Sequence, residues 1–573
     1  MSLELEPQML GNRGHMNPPP SVLFVAYEAS QMELFIQIAQ SLRLQSCIVP
    51  ILYCPYALPN EMSYRRACTE AGIEYLQEHT VHGGRNAFSE EVEVLAIRYS
   101  EPAVEVYPHV RPDLQEWLAK LSGYVDSAAV MHLWNRRART RAQVQKVLED
   151  WEKELSEQEY SDTLQRFAFW LETYLTELCV ARALVSQRQV GAIILAEHIA
   201  ERDSVVWMRV AAEEGIVPVV LTQHTISRQA TFETYKGQAD YRADSPANAL
   251  FLRYFPQYRH DFHEVGLVRL PAPQALAQEW WVLSMPRPWI ANGEPLTGVW
   301  LESRYLAQLY MREGVRPSYI RVVGSPQLDK LAQVIRPPVY AEKSEVLREI
   351  GLDPSQPFIV CALPANLYPR RKANRWNSYE ELVCDYLEQL RQLKHVRVVC
   401  ALHPSAQESL TELLEARQFP YIRGKLPAVL PHAKAYLISG SSTGAWALAC
   451  GVPVINYDVY ELGHQLGPEE HGIYTIRRLE ELREVLQDID DYFAPVEGRK
   501  KTHRLAELAQ RAKKHAAYYG ELDGRCMERI IGGICELIRR RIPVPSDKQR
   551  KEREIGQCQA LLRKLRSVIA VPG

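Results

Sequence analysis

The chain has 573 residues, of which 24% are charged and 46% hydrophobic, with a formal net charge of −3. This is ordinary globular usage for several domains of about 100–200 residues each, and the near-balanced charge leaves no global electrostatic footprint for nucleic acid. Apolar runs such as 217–221 and 358–363 fall far short of the ~20 residues of a spanning helix.

In chain order, residues 1–20 are polar and Pro-ended, read as a disordered lead-in rather than a signal peptide or anchor. An apolar run at 22–26, a helical pattern at 31–44 and a second run at 47–53 open a βαβ unit. From 112 to 190 the composition turns to Leu, Glu, Arg, Lys, Trp and Gln. Apolar residues at Leu164, Phe167, Trp170, Leu171, Tyr174, Leu175 and Leu178 predict amphipathic helices of a helical insertion, with solvated charged faces. Alternation resumes with a strand at 192–196, a helix at 204–214 stopped by Gly215, and a strand at 217–221. Residues 225–315 read as irregular and aromatic, with Tyr254, Tyr258, Trp280, Trp281 and Trp289; 319–323 reads as a strand. Pro337-Pro338 marks a linker, followed by a helix at 341–350.

The second half is more regular. Strands are expected at 358–363, 396–402, 435–438 and 454–457, and helices at 378–393, 406–416 and 442–450, the last ended by Gly451 and Pro453. From about 505 the tail is helical and basic, with Arg539-Arg540-Arg541 and then Arg550, Lys551 and Arg553. Packing helices with solvated charges are its plain reading; peripheral contact with the anionic inner face of a membrane is the sharper one. The expected architecture is α/β: two Rossmann-like domains facing a cleft, over 21–335 and 336–500, with a helical insertion at 112–190 and a helical tail at 501–573. The eleven Cys are scattered without a Cys-x-x-Cys pair, and Cys361, Cys400 and Cys450 fall inside apolar patterns. Buried thiols of a reducing compartment, and so a cytoplasmic location, follow.

The chemistry concentrates at strand ends. Ser441, Ser442 and Thr443, between Gly440 and Gly444, lie where a strand passes into a helix, so their hydroxyls and N–H groups can cap the helix or cradle a phosphate. His403 ends the strand at 396–402 and can donate to a phosphate oxygen or act as an acid on the leaving group. Asp458 and Glu461 follow the strand at 454–457 and can accept from ribose hydroxyls. Arg371, with Arg370 and Lys372, can neutralise phosphate or coat a loop. In the first half Glu197 and His198 end one strand, Gln223 and His224 the next, and Glu28 follows the first; a base for an acceptor hydroxyl is open among Glu197, His224 and Glu28. No P-loop and no Gly-x-Gly-x-x-Gly follows a strand, which argues against a kinase or a nicotinamide dehydrogenase. Asp488-Ile489-Asp490 sits in an acidic helical stretch and reads as surface, and no metal-ligand spacing is convincing.

Leu402-His403-Pro404-Ser405, residues 438–444 with the following 447–455, Val323-Gly324-Ser325-Pro326-Gln327-Leu328-Asp329 and the run 217–224 ending in Gln223-His224 together resemble the GT-B type glycosyltransferases of bacterial surface and capsular polysaccharide synthesis. The group includes sialyl- and Kdo-transferases and CDP-glycerol glycerophosphotransferases, which share the His-Pro and Ser-Ser/Thr pairing. The resemblance covers about half the chain, mainly 190–225 and 320–460. It implies a metal-independent enzyme with no cofactor, whose nucleotide-sugar donor, CMP- or UDP-linked, has its phosphate held by His403, Ser441, Ser442 and Thr443. It also implies a glycan or glycolipid acceptor in the N-terminal domain and no nucleic-acid partner. The acidic Asp/Glu-Asp/Glu-Gly base motif of the sialyltransferases is missing, which leaves the base among the three candidates above. The expected function is therefore sugar transfer. The alternatives are a glycerophosphotransferase, a nucleotide-sugar 2-epimerase, and a non-catalytic binding protein of the same fold.

Overall fold

The computed structural model describes residues 19–55, 61–77, 127–222, 227–262, 264–293, 298–335, 340–366, 375–403, 406, 408–461, 467–495, 504–539 and 548–569. The expected α/β class is what the chain adopts. Strands β1 (Ser21–Val25), β2 (Val49–Cys54), β3 (Glu74–Gln77), β4 (Val190–Leu195), β5 (Pro218–Thr222), β8 (Gly298–Leu301) and β9 (Ile320–Val322) form a sheet in the order β3-β2-β1-β4-β5-β8-β9. Strands β10 (Phe358–Ala362), β11 (Arg397–Leu402), β12 (Tyr421–Arg423), β13 (Tyr436–Ile438), β14 (Val454–Tyr457) and β15 (Ile473–Ile476) form a second, in the order β12-β11-β10-β13-β14-β15. β1 pairs in parallel with β2 and β4, and β10 with β11 and β13. β6 (Arg259–Phe262) and β7 (Val265–Val268) make a separate antiparallel ribbon.

Every residue of β1, β4, β5, β13 and β14 is buried, which is why these strands read as largely apolar runs rather than alternating ones. Both sheets have the strand order of doubly wound Rossmann-like folds. The order reverses beside the first strand of each, between β1 and β4 and between β10 and β13. Ligands of open parallel sheets bind outside the carboxyl ends of strands at such switch points.

By contact density the described residues fall into two units, one from Met1–Leu221, Phe232–Val299 and Ile531–Gly573, the other from Thr222–Thr231 and Trp300–Ile530. In the first, helices Ser127–Glu154 and Glu157–Gln187 occupy the expected insertion, whose earlier part lies outside the described residues. A reciprocal capping box, Ser156 with Glu159, starts the second helix, and Leu164, Phe167, Leu171, Tyr174 and Leu178 bury its predicted face. The C-terminal helix Lys548–Ile569 packs on this helix. There Arg209 bonds Glu213 and Glu554 at 2.6 and 2.9 Å, and Arg182 holds Glu213 at 2.9 Å through two nitrogens. In the basic tail, Lys551 pairs with Glu214 at 2.6 Å and Arg566 pairs with Glu172. Arg540 and Arg541 lie outside the described residues.

The irregular reading of 225–315 is wrong for most of its length. The stretch holds helices Arg228–Tyr235, Pro246–Leu252, Ala272–Trp281 and Arg304–Glu313, the β6–β7 ribbon and β8. All ten residues of Ala272–Trp281 are buried, so this helix has no polar face to produce a period. Asp490 is likewise not surface: it is 6% exposed and its Oδ1 accepts from the N–H groups of Lys394 and His395 at 2.8 and 2.7 Å. The eleven cysteines are free, with Cys361 and Cys400 buried and Cys450 half-buried. No described helix is long and apolar enough to cross a membrane.

Candidate functional site

At the switch point of the second sheet, the segment after β10 is held by two tyrosines. Tyr379 donates to the Pro364 carbonyl at 2.8 Å and Tyr460 to that of Ala365 at 2.7 Å. Beside it the chain leaves β13 through Gly440, whose φ of +65° favours a residue without a Cβ, and whose N–H donates to Asn456 Oδ1 on β14 at 2.9 Å. Ser441 Oγ and Thr443 Oγ1 are 2.7 Å apart, and the Tyr436 hydroxyl lies 2.7 Å from Thr443 Oγ1. The N–H groups of Thr443 and Gly444 turn back onto Ser441, reaching its Oγ and its carbonyl at 3.4 and 3.1 Å.

The following helix spans only the six residues Gly444–Ala449 and has no side-chain cap. The hydroxyls of Ser441 and Thr443 therefore brace the turn rather than cap a helix, and so short a helix adds little dipole. Ser442 is exposed, and among the described residues its N–H and hydroxyl have no protein partner. Those two donors are what the turn presents to a ligand.

His403 is exposed at the end of β11, the strand next to β10, and its carbonyl accepts from Ala406 N–H at 2.9 Å. Asp458 and Glu461 follow β14, on the other side of β13. Asp458 is 3% exposed and its N–H donates to Ile476 O at 2.9 Å; Glu461 is exposed, has a φ of +50°, and donates its N–H to Asp458 O at 3.1 Å. His403, the Ser-Ser-Thr turn and the Asp458–Glu461 turn thus share the carboxyl edge of one sheet. Pro404, Ser405, Arg371 with Arg370 and Lys372, and His224 with Gln223 lie outside the described residues.

A carboxyl that the sequence reading missed stands behind this turn. Glu302 follows β8 and is 4% exposed. Its Oε1 accepts from Ser325 Oγ and, at 2.9 Å, from Trp446 Nε1 in the helix that follows Ser442. Burial pushes this carboxyl up to about 7 against the pull of those two donors. The signal available in the sequence was weak: an acidic residue after a four-residue strand, in a stretch read as irregular.

At the first sheet's switch point, Glu28 follows β1 and Glu197 follows β4, the neighbouring strand. Arg202 joins them, with Nε 3.0 Å from Glu197 Oε1 and Nη2 3.6 Å from Glu28 Oε1. Glu28 is exposed and Glu197 is 8% exposed. Burial holds the Glu197 carboxyl above the usual range, opposed by Arg202 and aided by Glu28. His198 is fully buried and lowered to about 3 by burial. Its Nδ1 lies 3.2 Å from Ser204 Oγ, and its Nε2 has no partner among the described residues. Asn292, at a φ of +57°, accepts from His198 N–H at 2.6 Å and donates its own N–H to the His198 carbonyl at 2.8 Å, fixing the strand end.

Among the described residues one group has the spacing to hold a cation: Asp329, Asp523 and Cys526. Asp329 already accepts from the N–H groups of Cys526 and Met527 at 2.9 and 2.8 Å, capping a helix start. Arg529 lies 2.6 Å from Asp523 and 3.2 Å from Cys526 Sγ, so a guanidinium supplies the positive charge there.

No family model matches the sequence, and no curated protein matches it. Solved structures with a similar course of chain include the glycotransferase of kitacinnamycin, at 12% identity over 91% of this chain and 99% of that one, with a TM-score of 0.43. UDP-GlcNAc 2-epimerase from Neisseria meningitidis bound to UDP-GlcNAc has 10% identity over 90% and 100%, with a TM-score of 0.43. A glycosyltransferase from Rickettsia africae has 8% identity over 91% and 98%, with a TM-score of 0.42.

Proposed function

We propose that the chain is a GT-B type glycosyltransferase that takes a nucleotide-activated sugar, holding the donor at the carboxyl edge of the second sheet and the acceptor at that of the first. The supporting observation is the β13 turn. Its other hydroxyls are spent on each other and on Tyr436, while Ser442 offers an unpaired N–H and hydroxyl at a switch point. In this reading Ser442 and His403 bind the donor phosphate and stabilise the charge that develops on the leaving group. Asp458 and Glu461 take the ribose hydroxyls. Glu197 serves as base for the acceptor hydroxyl, its proton affinity raised by burial. Surface polysaccharide or glycolipid is the acceptor class, reached from the cytoplasmic side.

The joining of Glu28 and Glu197 through Arg202 favours a second reading, a nucleotide-sugar 2-epimerase, since elimination and re-addition need more than one carboxyl at the sugar. The test is a thermal-shift screen with CMP, CDP, UDP and GDP on the wild type, His403→Ala and Ser442→Ala. A nucleotide at 100 times its Kd stabilises by about 2.7 kcal/mol. One nucleotide should stabilise the wild type and lose most of its effect in both variants. No response to any nucleotide would refute the donor site. Product mass with the matching nucleotide sugar then separates transfer from epimerisation.

A further inference from the structure

A cavity of about 540 Å³ lies among helix Arg304–Glu313, the short turn Glu469–His471 and helix Arg504–Tyr519. It belongs to the opposite edge of the second sheet from the candidate donor turn. The Glu469–His471 turn runs into the start of β15, whereas His403 and Ser442 follow strand ends, and the strands of this sheet are parallel. Its volume is that of small-molecule sites, which run ~300–1,000 Å³.

The walls divide into apolar and polar parts. Tyr305, Leu309 and Tyr518 present rings and hydrocarbon, while Arg312, His471 and His515 present nitrogen. The two imidazoles stack with centroids 4.1 Å apart and planes at 21°. His471 Nδ1 lies 2.9 Å from the Tyr519 hydroxyl, which orients the ring and leaves its other nitrogen without a partner among the described residues. His515 and Arg312 have neither hydrogen bond nor ion pair among the described residues. A Cβ on Gly467 would fall 2.2 Å from the Tyr519 hydroxyl, so the backbone reaches the cavity wall only as glycine. Among the described residues no carboxylate lines the cavity, although Glu470, in the turn that carries His471, acts on that ring from nearby. A permanently charged guanidinium with its donors unspent, beside two imidazole nitrogens, calls for an anion, and the flanking rings call for a flat apolar body.

We propose that this cavity is a second binding site, separate from the donor turn, for a small phosphate ester carrying a flat ring. Arg312, His515 and His471 hold its phosphate, and the ring lies against Tyr518 and Leu309. The proposal stands apart from the transferase reading, because none of these residues belongs to the donor or acceptor sites. The experiment is isothermal titration calorimetry of the full chain with phenyl phosphate, inorganic phosphate and phenol, on the wild type, Arg312→Gln, His515→Gln and Ser442→Ala. Circular dichroism checks that each variant is folded. Phenyl phosphate should bind with one-to-one stoichiometry and more tightly than either fragment. Arg312→Gln and His515→Gln should each weaken it about tenfold or more, the loss expected for one charge-assisted hydrogen bond. Ser442→Ala should leave it unchanged. Absence of binding overturns the proposal, as does binding that survives both cavity variants or is lost in Ser442→Ala. Equal affinity for inorganic phosphate would remove the ring from it.

Discussion

Glu302→Gln should flatten part of the pH dependence of stability. The wild-type carboxyl is 4% exposed and accepts from Ser325 and Trp446, yet burial outweighs both donors and raises it from 4.5 to about 7. In the unfolded chain the group ionises near its ordinary value, so between about 4.5 and 7 the folded protein binds more protons than the unfolded one. Stability from this group is therefore whole below that interval and is lost as pH rises through it. At 1.36 kcal/mol per unit of pH the loss across the interval is about 3 kcal/mol. Gln keeps the accepting oxygen and does not titrate. Differential scanning calorimetry of both proteins from about pH 5 to about pH 8 isolates the group, because the other titrations cancel in the difference. The variant should gain on the wild type as pH rises, by about 2.5 kcal/mol over that range, since part of the loss falls below about pH 5. A difference that stays constant with pH would show that Glu302 ionises as an exposed carboxylate does, and would refute the reasoning.

Two further outcomes test the packing. Glu213→Ala leaves the buried Arg209 and the half-buried Arg182 with Glu554 as their shared carboxylate, and should cost about 3–5 kcal/mol in chemical denaturation; a cost below about 1 kcal/mol would mean that water reaches the cluster. Gly324→Ala places a Cβ 2.2 Å from Cys526 Sγ at a φ of +83°, and should lower stability by about 2 kcal/mol or more. Gly351→Ala, at a φ of +75° with nothing within 4 Å, is its control and should cost only the left-handed penalty of about 1 kcal/mol.

What the sequence determined by itself was the kind of layer and the position of the strand ends. Strands buried on both faces are largely apolar, so β1, β4, β5, β10, β11, β13 and β14 were legible as runs, and the Gly and hydroxyl cluster after β13 was legible as a turn. The helix Glu157–Gln187 was legible because its burial is one-sided. The fully buried helix Ala272–Trp281 and the four-residue β8 were not, since neither has a polar face or enough length to make a period. The tertiary structure alone decided which hydroxyls are spent. The capping reading of Ser441–Ser442–Thr443 gave way to bracing by Tyr436, a residue with no motif of its own. It alone decided that Arg202 joins Glu28 to Glu197, and that Glu302 accepts from Trp446, 144 residues away. Periodicity records that a segment is buried, and motif spacing records what lies next along the chain. Neither records which distant side chain supplies the partner, and burial against that partner is what sets a proton affinity.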